Sequence, residues 1–128
     1  MQILLDTHIA LWALADDRRL TAAARVAIAD PDNSVMVSAA SVWEIAIKRA
    51  LGRSRIPFDA TAAIGYFKQA GYRLLDIRAE HTAAVETLPK LLGDPFDRIL
   101  VAQAITEPLR LMTHDKALAA YSDTIILV

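Results

Sequence analysis

Short runs of almost uninterrupted apolar residues alternate along this chain with longer stretches in which apolar residues return every three or four positions. The short runs are rich in leucine, isoleucine and valine and predict buried β-strands, whereas the longer stretches predict helices. Five strands are predicted, at residues 2–6, 34–39, 72–77, 109–113 and 124–128.

Seven helices are predicted, at residues 7–17, 21–30, 38–52, 59–71, 79–88, 94–107 and 115–121. Thr21 is a predicted N-cap, Ser38 or Ser41 lies near the start of the third helix, and Gly52 ends it. Because strands and helices alternate and most strands are apolar throughout, the pattern predicts an α/β fold. Its parallel sheet is expected to be covered by helices on both faces.

Length and composition fit one domain, and residues 1–128 are expected to form it. No apolar run reaches the ~18 residues of a membrane span, and Met1 leads directly into the first strand without signal-peptide flanks. A soluble cytoplasmic protein with no membrane partner is expected. The sequence contains no cysteine, which excludes disulfides, a thiolate nucleophile and cysteine-type metal sites. Any metal must be held by oxygen or imidazole.

The net charge of −1 argues against a generally basic nucleic-acid-binding protein. One segment is locally basic, however: KRALGRSR, residues 48–55, contains four of the fourteen lysines and arginines. It is interpreted either as the solvated end of a helix or as a contact for a phosphate backbone. The second interpretation needs support from elsewhere in the molecule.

Several acids are expected near one edge of the sheet, because sites in open parallel sheets form outside the carboxyl ends of the strands. Asp6 and Asp115 follow the first and fourth strands, and each has the alternative role of a helix N-cap. Glu44 lies near the start of the helix after the second strand and has the alternative of an ion pair with Lys48. Its neighbours are apolar, so its carboxylate is costly to bury without a partner.

The stretch GDPFDRIL contains two further acids with different expected roles. With Asp94 as N-cap, Pro95 takes the first helical position, where its missing N–H costs nothing. Asp97 then falls in the first turn, where it suits the helix dipole but faces the core side with Val101 and Ala104.

Together, these acids indicate a cation site rather than separate caps and ion pairs. Clustered carboxylates cannot all ionise without compensation, and oxygen ligands favour Mg²⁺ or Mn²⁺ over zinc. Such a site activates water and stabilises charge on a transferring phosphoryl group. No Ser–His or Cys–His nucleophile is evident in the sequence.

The motifs LLDTH, SVWEIAIK, DPFDRILVAQA and LMTHD, in this order and across almost the whole chain, resemble those of PIN-domain nucleases. The resemblance is to VapC-type toxins of bacterial toxin–antitoxin pairs. It implies a five-stranded parallel sheet in a three-layer α/β/α sandwich and RNA cleavage that depends on one or two Mg²⁺ or Mn²⁺ ions. By motif position it implies metal-binding and catalytic acids at Asp6, Glu44, Asp97 and Asp115, with Thr113 as a supporting ligand.

The resemblance also implies partners: an RNA substrate, a small antitoxin that covers the acidic pocket, and a toxin homodimer within a larger hetero-oligomer. Lys48 and Arg98 are candidates for phosphate contacts, with charge pairing to nearby acids as the alternative. No role is assigned to His8, His81 or His114. The apolar surplus, which includes Trp12 and Trp43, favours a partner surface.

Two other function classes stay open at this stage. A receiver-type signalling domain also combines a five-stranded α/β fold with an acidic Mg²⁺ pocket. It needs paired acids after the first strand, where this chain has only Asp6, and a phosphoacceptor after the third, where Asp76 has no acidic companions. The other alternative is a PIN-like binding module that has lost its activity.

Overall fold

The computed structural model describes residues 1–91 and 93–128, and its centre is a five-stranded parallel sheet. The strands are β1 (Gln2–Leu5), β2 (Ser34–Ser38), β3 (Arg73–Leu75), β4 (Arg110–Thr113) and β5 (Ile126–Leu127). Their order across the sheet is β3-β2-β1-β4-β5. The chain therefore builds outward from β1 in one direction, returns, and builds outward in the other.

Within the described residues, seven α-helices and one short 3₁₀ turn, Val85–Thr87, connect the strands. The helices are α1 (Thr7–Ala15), α2 (Ala22–Ala29), α3 (Ala39–Ala50), α4 (Ala60–Gln69), α5 (Ala79–Ala84), α6 (Pro95–Thr106) and α7 (Lys116–Ala119). None of the helices in the described ranges is both long and apolar enough to cross a membrane.

Alternation along the strands divides the core into two layers. In β1, Ile3 and Leu5 point to one face and Leu4 to the other, as the two-residue period of a strand requires. The first face packs against α1, α2, α3 and α4, and the second against α6 and α7, with Ala40 from the start of α3. The result is the expected three-layer α/β/α sandwich with a fully parallel sheet.

Helix starts follow the predicted capping residues. The Thr21 hydroxyl accepts a hydrogen bond from the Ala24 N–H at 3.2 Å, and Ser38 accepts one from the Ala40 N–H at 3.0 Å. Of the two serines proposed for α3, the cap is thus Ser38. Gly52 follows the end of α3 with φ +68°, a backbone conformation that glycine adopts without a Cβ penalty.

The outer strands are shorter than predicted. β3 spans Arg73–Leu75 instead of 72–77, and β5 spans Ile126–Leu127 instead of 124–128. Both lie at an edge of the sheet, where each has one neighbouring strand and so fewer hydrogen bonds to hold it. Apolar runs predict where a strand forms, but pairing decides its length.

The strand order also excludes the receiver-type interpretation. In that fold the order is 2-1-3-4-5, so the first strand lies between the second and the third. Here β1 lies between β2 and β4. The two architectures share their composition of strands and helices but bring different loops together at the sheet edge.

The two tryptophans differ from each other in burial. Trp12, on α1, is buried in the core layer. The expectation that it contributes to an exposed apolar surface is therefore wrong. Trp43 is 56% exposed and packs edge-on against Phe96, with ring centroids 5.1 Å apart. Because Trp43 is exposed, the expectation of a partner surface stays a prediction.

Candidate metal centre

The strand order reverses between β1 and β4, which are neighbours in the middle of the sheet. Their carboxyl ends therefore open at the same place on the sheet edge. Asp6 follows β1, and Thr113 ends β4 two residues before Asp115. The Asp6 N–H donates to the Met112 carbonyl at 3.0 Å, which extends the β1–β4 pairing up to this edge.

Asp6 is both a helix cap and a member of the site. It is only 4% exposed, and its Oδ1 accepts a hydrogen bond from the Ile9 N–H at 2.8 Å. Its Oδ2 accepts a short hydrogen bond from the Thr113 hydroxyl, whose oxygen accepts one from the Asp115 N–H at 3.0 Å. The two proposed roles of Asp6 therefore do not compete, because each uses a different carboxylate oxygen.

Burial raises the pKa of Asp6 above its usual value, despite influences in the opposite direction. Those influences are the hydrogen bonds from Thr113 and Ile9 and the nearby imidazoles of His8 and His114. A carboxyl in this position gains from any cation that compensates its charge.

Glu44 enters the site from α3 and is only 7% exposed. The first turns of α1 and α3 are joined by a hydrogen bond from the Thr7 hydroxyl to Ser41 Oγ at 2.9 Å. Glu44 Oε2 forms the ion pair with Lys48 that its spacing suggested, at 2.7 Å from Nζ. Lys48 thus supplies the partner that this buried carboxylate requires, and both interpretations of Glu44 describe part of its environment.

Asp94 and Asp97 divide their roles as the sequence suggested. Asp94 caps α6, accepting hydrogen bonds from the Phe96 N–H at 2.8 Å and the Asp97 N–H at 3.4 Å, and Pro95 takes the first helical position. Within residues 1–91 and 93–128, no donor hydrogen-bonds to the Asp97 carboxylate. Asp97 is therefore left free of capping duties.

Asp97 carries the strongest electrostatic signal of the site, because its pKa is raised to about 7. The largest cause is burial, followed by the negative charges of Asp94, Asp6, Glu44 and Asp115. The charges of all three other predicted ligands therefore contribute to the raised pKa of Asp97. An acid that is half protonated near neutral pH in the absence of a metal indicates a site with more negative charge than its surroundings compensate.

Asp115 is half-buried, like Asp97, and caps the short helix α7. Its Oδ1 accepts a hydrogen bond from the Ala117 N–H at 2.9 Å. Like Asp6, it combines a cap with a position at the acidic edge.

The four carboxylates are coupled but do not surround a common point. Among the described residues, no three histidine, aspartate or glutamate side chains lie close enough together to hold a metal ion as they stand. The contacts of Glu44 with Lys48 and of Asp115 with Ala117 hold these two carboxylates. The donor set is nonetheless all oxygen and over-supplied with negative charge, which fits Mg²⁺ or Mn²⁺.

An aromatic cluster beside Asp6 was missed by the sequence reasoning. His8 and His114 are exposed, with ring centroids 5.5 Å apart, and Trp12 lies 4.6 Å from His114. The signal was available: the two histidines follow β1 and β4 at similar distances, and those strands are neighbours. Recognising it required the strand order.

Arg98 is engaged with the protein's own backbone. Its Nη1 donates to the Pro89 carbonyl at 2.9 Å and to the Tyr121 hydroxyl at 3.1 Å, and its Nη2 donates to the Val85 carbonyl at 3.1 Å. These contacts tie the segment before α6 to the helix. The geometry favours this structural role for Arg98 over a phosphate contact, and the predicted pairing with an acid is absent from the hydrogen bonds and ion pairs of the described residues.

Comparisons with known proteins agree with this architecture. A family model described as the PIN domain matches residues 3–123. Ribonuclease VapC22 of Mycobacterium tuberculosis is 33% identical over 122 residues, which cover 93% of this chain and 91% of that protein.

Solved structures show the same fold at lower identity. VapBC2 from Rickettsia felis, bound to a DNA fragment from its promoter, matches with a TM-score of 0.72 at 17% identity, covering 100% of this chain and 98% of that one. VapBC-1 from nontypeable Haemophilus influenzae matches with a TM-score of 0.66 at 18% identity, covering 100% and 97%.

Proposed function

The chain belongs to the PIN domain family, and from that premise we propose that it is a metal-dependent endoribonuclease, the toxin of a type II toxin–antitoxin pair. The relative from Mycobacterium tuberculosis described above is named a ribonuclease. The observation that carries the proposal is the coupling of Asp97 to the charges of Asp6, Glu44 and Asp115 at the edge where the strand order reverses.

The residues that would hold Mg²⁺ or Mn²⁺ are Asp6, Glu44, Asp97 and Asp115. When bound, the ion supplies an activated water and neutralises charge on the phosphoryl group. Thr113 does not need to touch the ion, because its hydroxyl fixes the orientation of Asp6 by hydrogen bonding to Oδ2. It is a positioning residue in this scheme.

Two contacts keep ligands available. Asp94 satisfies the N–H groups at the start of α6, so the Asp97 carboxylate does not have to. Lys48 neutralises Glu44 in the absence of a metal, and Glu44 must leave this ion pair, or share its carboxylate, to act as a ligand.

The proposal includes the biological context of the relatives. Solved structures with this fold include VapBC2 from Rickettsia felis, VapBC-1 from nontypeable Haemophilus influenzae and a toxin–antitoxin complex from Klebsiella pneumoniae. We infer a small antitoxin as partner and a toxin homodimer within the hetero-oligomer, acting on RNA in the cytoplasm. The exposed Trp43 ring, which packs against Phe96, is available for such protein contacts.

The proposal is tested by cleavage of a structured RNA pool with Mg²⁺, with Mn²⁺ and with chelator. Asp97→Asn and Asp94→Asn form a matched pair, because each removes one charge from the same turn of α6. Asparagine caps helices as well as aspartate, so Asp94→Asn should keep α6 intact and retain cleavage. Asp97→Asn and Asp6→Asn should lower the rate of RNA cleavage at least about 100-fold. This is the size of effect expected when an electrostatic contact made in the transition state is lost.

A catalytically silent binding module is the second candidate, and the open arrangement of the carboxylates favours it. Mn²⁺ titration by calorimetry separates the two. Binding of Mn²⁺ that Asp97→Asn abolishes, without cleavage of any RNA by the parent protein, would support the silent module. Equal cleavage by folded Asp97→Asn and parent proteins would refute the metal-nuclease proposal.

A further inference from the structure

A groove of about 340 Å³ opens beside the acidic edge, between α1, α3 and the loop that follows α3. We call it the basic groove. The side chains that define it are Trp12, Arg19, Lys48, Arg53, Arg55 and Phe58. Three of these belong to the basic segment KRALGRSR, and two of the three, Arg53 and Arg55, have no role in the proposed function.

The charges of the basic groove do not cancel. Its two acids are each paired with a cation: Glu44 with Lys48 at 2.7 Å, and Asp17 with Arg19 at 2.7 Å. Arg53 and Arg55 remain. Both are exposed, and neither guanidinium has a hydrogen bond or ion pair with any other described residue. The groove therefore presents two uncompensated positive charges.

The loop that carries these arginines is held in place. The Arg53 N–H donates to the Lys48 carbonyl at 2.9 Å, the Ile56 N–H donates to Ser54 Oγ at 3.1 Å, and Arg49 donates to the Ile56 carbonyl at 3.2 Å. Ile56 and Phe58 pack against the core layer of α1 and α3. The two guanidinium groups are thus displayed from an anchored loop.

The basic groove is continuous with the acidic edge. Its wall includes Thr7, His8 and Glu44, so it reaches a predicted metal ligand as well as Arg55 and Phe58. Phe58 supplies aromatic surface in it, and the Arg19 guanidinium lies over the buried Trp12 ring, 4.9 Å from its centre. Positive charge with interleaved aromatic rings is the combination that tracks single-stranded nucleic acid.

We propose that the basic groove binds the single-stranded RNA segment next to the scissile phosphate, with Arg53 and Arg55 on its backbone phosphates and Phe58 against a base. The inference rests on the proposed function, since it takes RNA as the substrate. It assigns a role to the basic segment and a direction for the substrate strand, from the acidic edge towards the loop after α3.

The test measures binding of a short fluorescein-labelled single-stranded RNA by anisotropy, in chelator, over a range of KCl concentrations. The variant is Arg53→Ala/Arg55→Ala. The control is Lys68→Ala/Arg73→Ala, which removes the same charge from exposed residues outside the groove. Loss of two phosphate contacts should make the slope of log K against log salt shallower by about 1.4. This change in slope corresponds to roughly 20-fold weaker RNA binding near 0.1 M salt.

Arg53→Lys/Arg55→Lys keeps both charges and should keep the salt slope. A Trp43→Phe background, in which Trp12 is the remaining tryptophan, adds a local readout: its emission should change when RNA binds the parent loop but not the Arg53→Ala/Arg55→Ala loop. Unchanged affinity and salt slope in that double variant would overturn the inference. The inference would also be overturned if poly-glutamate bound with the same affinity as the RNA and with the same dependence on Arg53 and Arg55.

The outcomes for the groove and for the proposed function are separable. If the double alanine variant binds RNA like the control, yet the parent protein cleaves RNA with metal, the nuclease proposal stands and only the groove assignment fails. If the parent protein neither binds nor cleaves any RNA, the function itself fails.

Discussion

The acidic edge and a second buried polar cluster, around His81, differ in how their polar atoms are satisfied. His81 lies inside the layer formed by α5 and α6, with its Nε2 2.6 Å from Glu107 Oε2 and its Nδ1 accepting from the Arg78 N–H at 2.9 Å. Because Nδ1 accepts a hydrogen bond, Nε2 carries the proton and donates to Glu107.

Gln103 extends the His81 cluster towards the sheet. Its Oε1 accepts from the Ser38 hydroxyl at 2.6 Å, and its Nε2 donates to the Asp76 carbonyl at 3.3 Å. No buried side-chain nitrogen or oxygen of the described residues lacks a hydrogen-bond partner. This cluster is closed: its donors and acceptors match, and it links α5, α6 and β2.

At the acidic edge, by contrast, carboxylates face one another and raise the pKa of Asp97 to about 7. The comparison teaches that burial of polar groups alone does not identify a site. A cluster whose polar atoms all have hydrogen-bond partners within the protein contributes to stability. A cluster with excess charge of one sign lowers stability and is a candidate site for a ligand of opposite charge. The two clusters should therefore respond to mutation in opposite directions.

The largest effect is expected for His81→Ala. The change leaves a cavity and an unpaired Arg78 N–H, so it should lower the free energy of unfolding by about 3–4 kcal/mol. Urea denaturation measures this, with Glu80→Ala on the exposed side of the same helix as a control expected to stay within about 0.5 kcal/mol. A loss below about 1 kcal/mol would contradict the structural role of the His81 cluster.

An opposite and smaller effect is expected for Asp97→Asn in the absence of metal. The folded pKa of about 7 lies above the usual 3.8, so the proton that Asp97 retains stabilises the fold below pH 3.8. This contribution is lost as the pH rises through 7. At pH ~8 the substitution should raise the free energy of unfolding by about 2 kcal/mol, since each pKa unit is worth ~1.4 kcal/mol and water access reduces the total.

The measurement for Asp97→Asn is urea denaturation in chelator at several pH values between about 5 and 8. The free energy of unfolding of the parent protein should fall as the pH rises over this interval, and that of Asp97→Asn should fall less. Asp123→Asn is the control, because Asp123 is exposed and its charge is not among those that raise the pKa of Asp97. Parallel pH profiles for Asp97→Asn and the parent protein would contradict the excess-charge interpretation of the acidic edge.

The smallest effect is expected for Thr113→Val. It removes the hydroxyl that donates to Asp6 and accepts from the Asp115 N–H, at a cost of about 1–2 kcal/mol in unfolding free energy. Because Asp6 loses its orientation and a favourable hydrogen bond, Mn²⁺ affinity by calorimetry should fall roughly 10-fold. Thr124→Val, at an exposed threonine, should change neither quantity. Normal Mn²⁺ affinity in Thr113→Val would remove Thr113 from the site.

Much of this molecule was predictable from local patterns. All five strands and seven helices lie where periodicity placed them, and the caps at Thr21 and Asp94 follow from residue type alone. The motifs around Asp6, Glu44, Asp97 and Asp115 were sufficient to indicate the family, and the family model matches residues 3–123. These features depend on residues that are near one another in the chain.

Tertiary structure decided the rest. The order β3-β2-β1-β4-β5 excluded the receiver fold and placed His8 beside His114. In the folded chain, Arg98 donates to backbone carbonyls, whereas Arg53 and Arg55 line a groove. A sequence states which charges exist, but which of them meet a partner depends on contacts between segments far apart in the chain. The same physics makes a buried His81 structural and a buried Asp97 a candidate ligand, because only the folded chain determines whether each finds its complement.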